Sequence, residues 1–189
     1  MSGQRKSVDR LKQAAVRLFV KKPGASLAEV AEEAGVGRAT LHRHFASREI
    51  LLLALQKECH DAIEKAFSEV FSRYVDYNRE QLLEAIGVFV NLGSEYSFLG
   101  RDWELTDSSD ISTKVSRQQL EWESYLYTMV KQQVLRSDLP IGWIKAGIDG
   151  LVMAAWQAID EQELGAKQAD RLTREAAERA FFLPEEGSH

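Results

Sequence analysis

Apolar side chains recur along this chain at spacings of three and four, the period of an amphipathic helix. Val8, Leu11, Ala15, Leu18 and Phe19 share one face and predict a helix over about residues 7–21, ended by Lys22-Pro23-Gly24. Ser26 is the expected N-cap of a short helix, Leu27–Ala34, with Leu27, Val30 and Ala31 turned inward. Gly35 stops it at a position where positive φ suits glycine. Val36 is the one apolar residue of the turn, and a third short helix follows over Arg38–His44. Ser47 caps a long helix reaching about Tyr74, with Leu52, Leu55, Cys59, Ile63, Ala66 and Val70 as its stripe. Later helices are predicted over 80–99, 112–135, 141–163 and 170–182, with polar residues 100–111 as a loop or short helix. No stretch sustains the period-two alternation of a strand, and the only prolines are Pro23, Pro140 and Pro184. The expected fold is all-α.

Composition narrows the class. The 189 residues are 44% hydrophobic and 28% charged, an ordinary folded composition. The longest apolar runs, Ile50–Leu55 and Leu151–Trp156, fall far short of the roughly 20 residues a membrane helix needs. The polar, basic start lacks the apolar core of a secretory signal. The single cysteine, Cys59, has no internal partner for a disulfide. A cytoplasmic protein without a membrane segment is expected. The formal net charge of −5 argues against a nucleic-acid partner only while the chain is taken whole. Residues 1–50 hold ten Lys/Arg against five Asp/Glu, a formal +5, and the remainder holds fourteen against twenty-four, a formal −10. That asymmetry points to a nucleic-acid-binding part joined to something else.

Residues 26–45 have the spacing of a helix-turn-helix. Ala31 is small where one helix crosses another, Gly35 permits the reversal, Val36 plugs the corner, and Leu41 and Phe45 anchor the third helix. The opposite face of that helix carries Arg38, Ala39, His42 and Arg43, where a major groove would lie. Arg38, Ala39 and Arg43 are the candidates for base edges, since arginine pairs with guanine and a methyl meets the thymine methyl. Arg5 and Lys6 are expected to form a flexible basic arm.

These residues also carry a family resemblance. Residues 8–55 resemble the DNA-binding domain of the TetR family of transcriptional regulators, from Leu18-Phe19 through Val30-Ala31, Ala34-Gly35-Val36, Thr40-Leu41 and His44-Phe45 to Ser47-Arg48-Glu49. The resemblance implies an N-terminal three-helix DNA-binding domain, residues 1–47. A long fourth helix joins it to a C-terminal ligand-binding and dimerisation bundle, residues 48–189. It also implies phosphate contacts from Thr40, His42, His44 and Arg48, and from Ser26 or its helix N-terminus. Gly37 departs from the family's usual Ser or Thr, and His42 from its usual Tyr, so the operator sequence does not carry over.

The rest of the chain is less specific. Aromatics crowd the middle helices, chiefly as core. Phe67, Phe89, Tyr96, Trp103 and Trp122 are the candidates to line an effector cavity of the kind the resemblance implies. After Pro140, Gly147, Gly150, Ala154 and Ala158 form a small-residue stripe. With Ala176, Ala180 and Phe181 of the last helix it is the candidate homodimer interface. His42 and His44 point about 200° apart on a helix, and Cys59 and His60 lack a third ligand nearby, so no metal site is expected. No nucleotide, hydrolase or zinc motif is present, so no cofactor and no enzymatic activity are expected. The function expected is a sequence-specific DNA-binding regulator, of the repressor kind, released from a palindromic operator by a small-molecule effector. The alternative is an architectural or partner-controlled DNA-binding protein without a small ligand.

Overall fold

The computed structural model describes residues 2–96, 98–99 and 109–184. Among them the chain forms α1 (Ser2–Lys21), α2 (Leu27–Glu33), α3 (Arg38–His44), α4 (Arg48–Arg73), α5 (Arg79–Tyr96), α6 (Ser109–Lys131), α7 (Ile141–Asp160) and α8 (Ala166–Phe181). Strand pairing among the described residues is a single antiparallel bridge between Leu135 and Phe182. The first four helices start where the pattern placed them, except α1. It begins at Ser2, so Arg5 and Lys6 lie within a helix and the expected flexible arm is corrected. Gln4, Arg5 and Lys6 favour helix and no proline interrupts them, so the helix extends past the apolar face that announced it. At the other end, α7 stops three residues early, with Gln162 at φ 60, and α8 starts four early behind Gly165.

Two cores result. The first joins Leu11, Ala15 and Phe19 of α1, Val30 and Ala31 of α2, Leu41 and Phe45 at α3, and Leu51, Leu52, Leu55 and Cys59 of α4. Tyr96, at the end of α5, and Phe98 and Leu99 beyond it belong to this same core. The second unites α5 to α8 around Leu82, Ile86, Leu126, Met129, Ile148 and Trp156. Phe67, Phe89 and Leu92 pack against both. The body and the N-terminal head are therefore joined twice, by the length of α4 and by the end of α5.

Candidate nucleic-acid interface and interior cavity

The head is built by local rules. Ser26 accepts from the Glu29 N–H, while the Glu29 carboxylate accepts from the Ser26 N–H at 2.8 Å, a complete capping box at the start of α2. Lys22 donates to the same carboxylate at 2.6 Å. That ion pair first, and then the Ser26 bonds, hold Glu29 down at about 2. Gly35 turns the chain at φ +60, and the Val36 N–H closes back on the Ala31 carbonyl at 2.9 Å. Arg10 donates to the Gly35 carbonyl at 3.2 Å, tying α1 to the turn. Leu41 and Phe45 are buried, which fixes the roll of α3 and leaves Arg38, Ala39, His42 and Arg43 exposed on its far side. Neither arginine has an ion pair among the described residues.

The other expected DNA contacts divide. Lys6 is exposed on α1, and the side chain of Arg5 lies outside the described residues. Thr40 and His44 are half-buried, and His44 Nε2 is covered without a hydrogen-bond partner. The Ser26 hydroxyl is committed to Glu29. Arg48 is turned inward: its guanidinium donates to the Pro23 carbonyl at 2.7 Å and lies 5.0 Å over the Phe19 ring. Phe98 meets the same ring at 5.7 Å. Arg48 thus ties the start of α4 to α1 and the α1–α2 turn, work that a residue-by-residue resemblance does not reveal.

In the body, two cavities share a wall of Ile63, Phe89, Gln118 and Trp122. The smaller, about 260 Å³, adds Phe67, Phe71 and Tyr125, with Glu64, Ser68 and Glu121. The larger, about 420 Å³, adds His60, Gln119, Lys145, Asp149, Val152, Met153 and Trp156. Their rings meet edge to face, Phe67 on Phe89 at 4.6 Å and Phe89 on Trp122 at 5.7 Å, while Trp122 stacks on Tyr125 at 5.5 Å. The polar floor is tied down. His60 Nδ1–H donates to Gln118 Oε1 at 2.9 Å, and Gln118 Nε2 donates to the His60 carbonyl at 3.2 Å. Burial pushes the His60 imidazole below its usual 6.5. Lys114 bridges Asp61 and Glu64 beside this pair, and Arg117 reaches Glu64 at 3.1 Å.

Of the expected cavity residues, Phe67, Phe89 and Trp122 come together here. Tyr96 does not; it is buried in the core of the head, because α5 ends there rather than in the body. Trp103 lies outside the described residues. Phe71, four residues after Phe67, and Tyr125, three after Trp122, were signalled by helical spacing. Trp156 and Met153 were not, since only tertiary packing brings α7 to this wall.

The expected dimer residues also divide. Phe181 is 6% exposed, and a Cβ on Gly147 would stand 3.0 Å from its Cε1, so these two pack on each other within the chain. Gly150 and Ala154 are exposed, and Ala158, Ala176 and Ala180 half-buried. Trp143, 66% exposed, and Met153, 48% exposed, extend the exposed apolar face of α7. No described helix is long and apolar enough to cross a membrane. Among the described residues no three His, Cys, Asp or Glu cluster for a metal.

A short, exposed basic helix seated on a helix-turn-helix, ahead of an all-helical body with an aromatic cavity, defines a transcriptional regulator with a DNA-reading head. Residues 11–55 match the family described as bacterial regulatory proteins, tetR family. The HTH-type transcriptional repressor LfrR of Mycolicibacterium smegmatis is 29% identical over 165 residues, 83% of this chain and 82% of its own length. The crystal structure of TetR-like LfrR from Mycobacterium smegmatis in complex with proflavine has a similar fold. It gives a TM-score of 0.76 at 19% identity, covering 96% of this chain and 99% of that one. The ketosteroid transcriptional regulator KstR2 of Mycobacterium tuberculosis gives 0.75 at 17% identity, covering 94% and 95%.

Proposed function

We propose that this chain is a homodimeric, cytoplasmic repressor that leaves a palindromic operator when a flat aromatic effector fills the body. The observation that carries the reading is α3, anchored by Leu41 and Phe45 and presenting Arg38, Ala39, His42 and Arg43 outward. Arg38, Ala39 and Arg43 read bases, while Thr40, His42 and His44 meet phosphates, with Lys6 and Arg5 adding charge from α1. A two-fold pair joined through Gly150, Ala154, Ala158, Ala176 and Ala180, with Trp143 and Met153 on the same face, sets two heads at a fixed separation. One helical turn of DNA, roughly 34–36 Å, or a multiple of it, then fixes the operator's symmetry.

The effector class follows from the lining of Phe67, Phe71, Phe89, Trp122 and Tyr125, and agrees with the capture of proflavine by the relative LfrR. Release is a population shift: an effector preferring a different packing of α5 on α4 biases the heads away from the operator spacing. Phe89 lies in both cavities, and seven residues on, the same helix enters the core of the head. The test is fluorescence anisotropy of a labelled operator fragment titrated with acridine. Acridine-dependent release is expected. Tight operator binding indifferent to acridine and to related planar heteroaromatics contradicts effector control and leaves a constitutive DNA binder.

A further inference from the structure

Gly93 sits on α5 where that helix faces α7 (Ile141–Asp160), with the flat of Trp156 in the place a side chain would occupy. A Cβ added at Gly93 would stand 2.5 Å from the indole Nε1 and 2.7 Å from Cγ, closer than real Cβ atoms approach. The indole is nearly buried and cannot bend. Its N–H donates to the Phe89 carbonyl at 2.8 Å, one turn before Gly93, which holds the ring flat against α5. Trp156 also lines the larger cavity together with Phe89, Trp122, Val152 and Met153. The glycine is helical, with negative φ, so it is not needed for a turn. Glycine is disfavoured inside a helix relative to alanine. What the missing side chain supplies is space for the indole.

We propose that Gly93 is a specificity-determining residue: by taking the Trp156 indole into the surface of α5, it sets how large an effector the cavity admits. A side chain at this position forces the ring off α5, breaks its bond to Phe89, and sends it toward the cavity it borders. The proposal rests on the reading of the aromatic body as the effector site, extended from the smaller cavity into the larger through their shared wall of Ile63, Phe89, Gln118 and Trp122.

The test uses two neutral probes of like chemistry and unequal size, quinoline and acridine, measured by calorimetry at pH 7.5 on the full chain. Gly93→Ala is expected to weaken acridine at least tenfold while changing quinoline less than about threefold, the difference of one fused ring. Trp156→Leu added to Gly93→Ala removes the obstructing ring and is expected to restore acridine to within about threefold of the parent. Circular dichroism melting of each variant confirms that the fold is kept. Unchanged acridine affinity in Gly93→Ala overturns the proposal. So does equal weakening of both probes without recovery in the double variant. If the parent binds neither probe, the cavity reading itself falls and this proposal falls with it.

Discussion

Residue by residue, the head separates side chains that face outward from those that hold it together. Arg43 is exposed and uncommitted, so Arg43→Ala is expected to cost about 1–3 kcal/mol on the cognate operator and relax its preference, with little change in melting. Binding curves on cognate and scrambled sites check this. Arg48 belongs to the other group. Losing its bond to the Pro23 carbonyl and its stacking on Phe19 is expected to cost about 1.5–3 kcal/mol of stability, read by denaturant melting, while the salt slope of DNA binding stays put. A fall in salt slope without loss of stability would return Arg48 to the phosphate backbone. His60 gives a pH signature. Its folded value lies below 6.5, so above pH 6.5 both states are neutral and nothing is lost. As pH falls through 6.5 the unfolded chain takes up a proton that the folded chain resists, and stability drops. The melting temperature should fall between pH 7 and 5, and His60→Gln should flatten that slope. The exposed face of α3 was legible from sequence because Leu41 and Phe45 fix its roll. The inward turn of Arg48 was not, because its acceptor, Pro23, is set by tertiary packing.

Among the elements, α5 connects the two cores. Its residues Leu82, Ile86 and Val90 belong to the body, Phe89 borders both cavities, and Tyr96 at its end, with Phe98 and Leu99 beyond it, closes the head. On the proposed effector control, displacement of Phe89 is expected to strain the contact of Phe98 with Phe19. Phe98→Leu is expected to keep operator affinity within about threefold while blunting acridine-driven release, a split that simple loss of stability does not produce. The anisotropy titration of the parent and variant decides it; equal release in both contradicts a route through α5. Sequence periodicity found α5 as a helix but extended it to Leu99 and placed Tyr96 in the effector cavity. Periodicity reports which face is buried, not which of two cores buries it. The start of α1 failed for a related reason: Gln4, Arg5 and Lys6 carry no apolar pattern, and helix propensity alone continues the element.

At the scale of the whole molecule, the charge asymmetry takes its physical meaning. The basic head attracts phosphates and the acidic body discourages the rest of the surface from lying on DNA. The formal charge changes sign near residue 48, while the packing crosses that point through the end of α5. The face of α7 around Gly150, Ala154 and Trp143 is exposed on a single chain, and the proposed dimer would cover it. Ala154→Arg should yield a monomer by sedimentation velocity and weaken operator binding at least tenfold with each head intact; a dimer that persists places the interface elsewhere. The most direct test of the central claim is selection of genomic fragments by the purified protein, followed by footprinting of the enriched sites. An inverted repeat with half-site centres one helical turn, or a multiple of it, apart is expected, with its enrichment lost in Arg43→Ala. Recovery of fragments with no shared sequence, or of a site without two-fold symmetry, would contradict it.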